Sequence, residues 1–361
     1  MESIYYSICW HCHRRCKHCY EDRFHPYARD ALEGVVAEAE ASAPRIIANL
    51  PDRMTFLDRD EPDVTAPGGF REKVGRIILS GGEVLTDPVR TRVLYPIIEG
   101  LRAKYANRGG VKIVVQTTGD LVTKDIVTEL LARGVWMISV AGIDDFHVGM
   151  EGDKKRVLQE KVTAIFKAAG MHPSGLDATK RKWTDEAGPI YSFFGATEDA
   201  WIGKLWPRGR AWKNGLSKAT MADNFCNAWS GGLGFLDHRF SGSEVAIEPT
   251  GQVFPCCMKT GRALGNLTEE PLLEILDSLV GHPVYEAINA GDPGKMGLAQ
   301  GWSVADFEAA CHTKTPKGDD YANLCIGCDR FHETVMGPLL EQLRSKREAD
   351  RQRRSSLETA E

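Results

Sequence analysis

No stretch of this 361-residue chain stays apolar for the ~20 residues that a bilayer span needs, so no transmembrane helix and no membrane partner are predicted. Its start lacks a basic segment followed by a long apolar run, which argues against a secretory signal and makes the cytoplasm the expected compartment. An excess of positive charge is also missing. The chain has 45 Lys and Arg against 50 Asp and Glu, so general nucleic-acid binding is not expected, although a local basic patch stays open. There is no internal repeat and no low-complexity block. What remains, 42% hydrophobic and 26% charged, is ordinary for a soluble globular protein. The length suits two domains, or one large α/β domain with an appendage.

Cysteine, by contrast, is plentiful: the chain has ten. In a reducing compartment clustered cysteines are metal ligands more often than disulfides, with a secreted disulfide protein as the alternative. Four of them, Cys9, Cys12, Cys16 and Cys19, crowd into "CWHCHRRCKHCY" at residues 9–20. Paired C-x2-C elements make tetrahedral zinc sites. Such sites usually separate the pairs by a dozen or more residues, and only three intervene here. The bacterial ferredoxin run, C-x2-C-x2-C-x3-C-P, does not match either.

Strand and helix signals alternate through the first half. "SIYYSIC" (3–9), "GRIILSGGE" (75–83), "VKIVVQTTG" (111–119) and "VWMISVAG" (135–142) read as strands. Helical patterns occupy 28–50, 89–106, 123–133 and 153–169, and the polar, Pro/Gly-rich residues 51–73 read as a loop. This alternation implies βαβ units and a parallel sheet, whose functional loops lie at the strands' carboxyl ends. "CWHC", "SGGE", "TTGD" and "AGIDD" all fall there, which points to one shared site. "GPIYSFFGAT" (188–197) is a candidate later strand. Residues 171–225 are rich in Gly, Pro and basic residues and carry Trp183, Trp201, Trp206 and Trp212, a segment that could cover one mouth of the sheet. "SEVAIEPTGQVFPCC" (243–257) reads as a hairpin. The charged stretch 339–361 reads as a helix that frays at its end.

Cys12-x3-Cys16-x2-Cys19, with His18 before the last cysteine and Tyr20 after it, resembles the radical S-adenosylmethionine (radical SAM) signature CxxxCxxC. The resemblance implies a [4Fe–4S] cluster held by these three thiolates, with the fourth iron open to SAM. Reductive cleavage of SAM would then give a 5′-deoxyadenosyl radical that abstracts hydrogen from a substrate. Cys9 is left as a spare. Ser80, Gly81, Gly82 and Glu83 stand where that family has its GGE motif, which contacts the SAM amino group; taken alone, the string reads as a plain strand-to-helix turn. "QTTG" with Thr118, and Ser139 in "ISVAGIDDFH", resemble the family's third and fourth strand ends. Asp144, Asp145 and His147 could serve substrate or cofactor, and a solvated polar loop fits them equally well.

The remaining cysteines are Cys226, Cys256, Cys257, Cys311, Cys325 and Cys328. A Cys-Cys pair plus C-x2-C fits poorly with scattered buried thiols, which are otherwise small hydrophobes. G-x4-C on a hairpin, then "LGNL" (264–267) and C-x2-C, resembles the SPASM/twitch extensions that hold auxiliary [4Fe–4S] clusters. No cysteine follows Cys328, so the set is too short for two fully thiolate-ligated clusters. One cluster with Cys226, Cys256, Cys325 and Cys328 as ligands is implied. Cys257 and Cys311 are left over, either to replace one of these ligands, Cys226 first, or to act on substrate. Arg208 and Arg210 in "WPRGRAW" could clamp a carboxylate or phosphate, or support a cluster.

The resemblance implies a partial (β/α)6 TIM-like radical SAM barrel at 1–200, a connecting segment at 201–225, a β-hairpin/α auxiliary-cluster domain at 226–335 and a charged helical tail at 336–361. It also implies a small-molecule or peptide substrate and an electron donor of flavodoxin or ferredoxin type. With no peptide-recognition extension ahead of the first strand, a small metabolite is the preferred substrate. Two alternatives remain: transfer of SAM's 3-amino-3-carboxypropyl group, and a zinc-stabilised binding module.

Overall fold

A computed structural model of the chain describes residues 1–175, 187–195 and 204–358. Trp183, Trp201 and the last two residues of the 188–197 strand candidate lie outside the described residues. In chain order the first half contains β1 (Ser3–Ser7), α1 (Asp30–Asn49), β2 (Thr55–Pro62), β3 (Phe70–Val74) and β4 (Arg76–Ser80). It continues with α2 (Tyr95–Tyr105), β5 (Lys112–Thr117), α3 (Lys124–Ala132), β6 (Met137–Val140), α4 (Lys154–Ala168), β7 (His172–Pro173) and β8 (Ile190–Phe193).

Strands β1, β4, β5, β6 and β8 pair parallel in that order, with the two-residue β7 outside β8. β1, β4 and β6 are buried at every position, as expected of strands covered on both faces. Period-two alternation divides their side chains cleanly. Ile4, Tyr6, Ile77, Leu79, Ile113, Val115 and Ile138 pack in one core with the helices. Tyr5, Ile78, Val114 and Met137 point the other way, into the barrel interior with Trp136 and Ile190. α1 buries Val36, Ala39, Ala43 and Ile46, and α4 buries Leu158, Val162 and Phe166, so each helix turns one stripe to the sheet.

The expected loop at 51–73 is instead a β-ribbon, with β2 and β3 antiparallel. Its sequence conceals it because charge fills most positions. Those charges pair across the ribbon: Lys73 with Asp58 at 2.9 Å and Glu61 at 2.5 Å, and Arg71 with Glu61 at 3.0 Å.

The second half runs α5 (Gly209–Lys213), β9 (Glu244–Ile247), β10 (Gln252–Phe254), β11 (Gly265–Asn266), α6 (Leu272–Asp277) and α7 (Pro283–Asn289). It ends with α8 (Val304–Cys311), β12 (His312–Lys314), β13 (Asp320–Ala322), α9 (Leu324–Val335) and α10 (Gly337–Glu358). The β9–β10 hairpin forms where the sequence places it. It does not stand apart, however: β9 pairs parallel with β1, and the barrel sheet continues through β9, β10 and β11 into the C-terminal region. α10 is fastened by a buried ion pair, Arg347 to Glu270 at 2.7 Å. No helix among the described residues is long and apolar enough to cross a membrane.

Candidate functional site: two thiol centres joined by one sheet

The chain leaves β1 and turns back over the strand ends, and this return carries the N-terminal thiols. Cys12, Cys16 and Cys19 line one pocket together with Ser80, Gly81, Gly82, Thr118, Asp144, His147 and Tyr20. Cys9 does not line it. Its side chain is 1% exposed, packs in the helix-side core, and has its sulfur near the Val35 carbonyl. Backbone amides point at two of the three pocket sulfurs: Arg14 N–H to Cys12 Sγ and Val148 N–H to Cys16 Sγ, each at 3.4 Å. Burial pushes the Cys12 thiol up to about 12 and Cys19 up to about 11, and raises Cys16 as well. The bare thiols are therefore protonated at neutral pH, and a bound cationic centre would be needed to draw off their protons. Three converging sulfurs with amide donors suit an iron–sulfur cluster that keeps one iron free.

The glycine pair supports the loop from below. A Cβ on Gly82 would lie 2.1 Å from the His11 carbonyl oxygen and 2.8 Å from the Cys12 nitrogen, so only glycine admits the thiol loop this close to β4. Glu83 sits behind the pocket wall. Its carboxylate, 1% exposed, accepts from the Thr117 hydroxyl and from the Thr118 amide and hydroxyl, each at 2.7 Å, and from Leu85 N–H at 3.0 Å. Its oxygens thus lock the ends of β4 and β5 together. Ser80 faces the pocket and shares a 2.7 Å hydrogen bond with Tyr5 Oη. Ser139 lies outside the lining, hydrogen-bonded to Ser192 at 2.9 Å.

Asp144 and His147 come from the loop after β6. The buried Asp144 Oδ1 accepts from His147 Nδ1 at 2.8 Å and from the amides of Phe146 and His147, which fixes the His147 ring in the pocket. The His18 ring meets the His147 ring edge-on at 4.4 Å, and His18 Nδ1 is a buried atom without a hydrogen-bond partner. Burial lowers His18 to about 4, so it is neutral at physiological pH. Asp145 faces outward, paired with Lys155 at 2.8 Å.

The two candidate arginines serve the protein itself. Arg210 donates to the carbonyls of Cys16 and Asp22 at 2.9 Å and of Phe24 at 2.6 Å, and so spans the thiol loop. Arg208 donates to the Lys259 carbonyl at 2.7 Å and pairs with Asp329 at 2.9 Å, beside the second set of cysteines.

That second set converges too. Cys226, Cys256, Cys325 and Cys328 line a single small cavity with Phe225, Met258 and Pro293. Burial raises all four thiols, Cys226 to about 12, and the neighbouring sulfurs add to the shift at Cys325 and Cys328. Four thiols closing on one cavity fit a fully ligated cluster; the same donor set fits zinc. Cys257 faces the barrel interior with Tyr5 and Ile78. Cys311 is fully buried at the end of α8, its sulfur against Gly327 of α9. Neither lines the cavity.

Sequence reading passed over two asparagines. Asn224 Oδ1 accepts from Cys226 N–H at 3.0 Å, and Asn323 Oδ1 accepts from Cys325 N–H at 2.9 Å. Asn323 is the N-cap of α9, which puts Cys325 in the first helical turn, where the helix dipole favours a thiolate. The signal was present as Asn-x-Cys, occurring twice in this half. Also passed over were Glu21, Arg23, Glu248 and Lys259. Glu21 and Arg23 of the thiol loop and Glu248 and Lys259 of the hairpin region form one ion network, with Arg23 at 2.8 Å from Glu21 and Lys259 at 2.7 Å from Glu248.

Residues 240–329 match the SPASM family, an iron–sulfur cluster-binding domain. The match contains Cys256, Cys325 and Cys328 and starts after Cys226. The match covers about a quarter of the chain, and the CxxxCxxC loop and the glycine pair lie outside it. A further similarity is to the [LysW]-aminoadipate/[LysW]-glutamate kinase of Metallosphaera sedula, 31% identical over 90 residues. That similarity spans 23% of this chain and 34% of the kinase, too little to carry over the kinase's activity. Among solved structures, BtrN in complex with AdoMet and 2-DOIA is 12% identical over 85% of this chain and 92% of its own, with a TM-score of 0.40. anSMEcpe with bound AdoMet is 12% identical over 95% of each chain, TM-score 0.41. Streptococcus suis SuiB bound to its precursor peptide SuiA is 13% identical over 84% of this chain and 73% of its own, TM-score 0.26. At such scores these likenesses add no weight to the SPASM match.

Proposed function

We propose that this chain is a radical SAM enzyme of the SPASM type that cleaves SAM reductively at a [4Fe–4S] cluster held by Cys12, Cys16 and Cys19, and removes a hydrogen atom from a small-molecule substrate. The observation that carries the reading is that three thiols, and no fourth among the described residues, share the pocket at the strand ends. When bound, the cluster and SAM supply the electron and the 5′-deoxyadenosyl radical. The chain's own part is to hold and to shield. Gly81, Gly82 and Ser80 give SAM a close backbone wall, and Thr118 borders the same space. Tyr20, Phe24 and Trp206 wall off water. His147, oriented by Asp144, is the group available to take or give a substrate proton at Nε2. Cys226, Cys256, Cys325 and Cys328 hold the auxiliary cluster, and a one-electron carrier of flavodoxin or ferredoxin type supplies reducing equivalents.

The test is anaerobic reconstitution with iron and sulfide counts, then reduction in the presence of SAM. About eight irons are expected, falling to about four in a Cys12/Cys16/Cys19→Ala variant that no longer cleaves SAM. The nucleoside product should be 5′-deoxyadenosine; 5′-methylthioadenosine would move the reaction to aminocarboxypropyl transfer. Bound zinc with no iron and no SAM cleavage would sink the reading.

A further inference from the structure

The two thiol centres are reached from one tripeptide. Arg208 extends towards the C-terminal centre: it bonds the carbonyl of Lys259, three residues after Cys256, and pairs with Asp329, the residue after Cys328. Arg210 extends towards the N-terminal centre, where its guanidinium spans carbonyls from Cys16 to Phe24, and its own amide donates to the Cys19 carbonyl at 2.7 Å. Gly209 between them, at φ +56°, lies so close to the thiol loop that a Cβ would stand 2.3 Å from the Tyr20 carbonyl oxygen. The short helix that follows is held on its other side by the C-terminal region. Trp212 meets Tyr321 at 4.8 Å, and Lys317 Nζ donates to the Asn214 carbonyl at 2.7 Å.

A segment bonded this closely on both sides cannot shift at one centre without disturbing the other. We infer that Arg208-Gly209-Arg210 couples the two thiol centres, so that ordering or loading either one stabilises the other. The coupling is reciprocal by thermodynamic necessity. Arg208 and Arg210 are positioning residues in this account, since each acts through the loops it holds. The loading part of the inference rests on the reading above that both centres bind clusters; the ordering part does not.

Arg208→Gln cuts the coupler on the C-terminal side, and the Arg208 side chain makes none of the bonds to the thiol loop described above. In the reconstituted full chain, amide hydrogen exchange across residues 12–24 should then speed up about tenfold. Asp329→Asn, which weakens the ion pair but leaves the bond to the Lys259 carbonyl, should speed it less, and the double variant should be no faster than Arg208→Gln alone, because the Asp329 link runs through Arg208. Removing the auxiliary centre with Cys325→Ala and Cys328→Ala should also speed exchange at 12–24, with no further gain from Arg208→Gln. Increased exchange confined to 256–259 and 325–329 would overturn the inference, and so would additive effects of the two single variants. If the chain binds no iron, the proposed function falls. The same exchange measurement on the metal-free chain still decides whether the centres are coupled.

Discussion

The N-terminal loop supplies its three pocket sulfurs within eight consecutive residues, Cys12 to Cys19, whereas the C-terminal centre gathers four from segments spread between Cys226 and Cys328. The first is local and needs outside support: a glycine pair beneath it and an arginine across its carbonyls. The second is assembled only when its domain folds, with a hairpin and a short turn each bringing one sulfur and a capped helix bringing two. Closing loops of that length costs chain entropy, which folding of the domain and any bound metal must offset together. The chain thus carries one centre made by sequence spacing and one made by tertiary structure.

This difference explains what could be read in advance. The grouping of the N-terminal thiols was legible because cysteine spacing and strand position coincide in one motif; Cys9 was set aside through the resemblance to CxxxCxxC, and packing places it in the helix-side core. The alternating barrel strands were legible from their unbroken apolar runs. The ion-paired ribbon β2–β3 was not, since strands with charge at most positions lack the pattern that marks a half-buried strand. At the C-terminal centre the resemblance nominated Cys226, Cys256, Cys325 and Cys328 among six cysteines, and packing puts those four on one cavity, with Cys257 in the barrel and Cys311 against α9. The roles of Arg208 and Arg210 were likewise hidden, because a guanidinium that holds carbonyls looks the same in sequence as one that holds a substrate.

The contrast can be sharpened experimentally, first by ligand identity. Cys226→Ala should cost about four irons and Cys257→Ala none, read by iron and sulfide analysis. Equal losses in the two would redraw the C-terminal centre. Next comes stability. Stripping iron from the Cys12/Cys16/Cys19→Ala variant, which retains only the C-terminal centre, should lower its melting temperature markedly. Stripping a Cys325/Cys328→Ala variant should lower it little, because only the C-terminal centre ties distant segments together. Gly82→Ala should displace the thiol loop and empty the N-terminal centre while leaving about four irons at the other; full retention of both clusters would contradict the close packing described.

Smaller effects follow at the supports. Asn323→Ala should cost about 1 kcal/mol in denaturant unfolding and hasten iron loss from the C-terminal centre alone. The ion network predicts an acid limb of modest size. Burial opposes ionisation of Glu21, yet its bonds to Arg23 and Lys259 outweigh that and hold its carboxyl at about 2. Its folded value lies below its unfolded one. The stability it contributes is therefore present above the unfolded value, near pH 4.5, and is lost as pH falls towards 2. Glu21→Gln should flatten the pH dependence of stability in that window, and an unchanged acid limb would remove the network from the account.

The central claim is that one centre keeps a coordination place for SAM and the other does not. Electron paramagnetic resonance of the reduced protein, with and without SAM, tests it most directly. In the Cys325/Cys328→Ala variant, which retains only the N-terminal centre, SAM should change the cluster signal. In the Cys12/Cys16/Cys19→Ala variant the signal should not respond. A signal indifferent to SAM in the first variant, or a response in the second, would contradict the account.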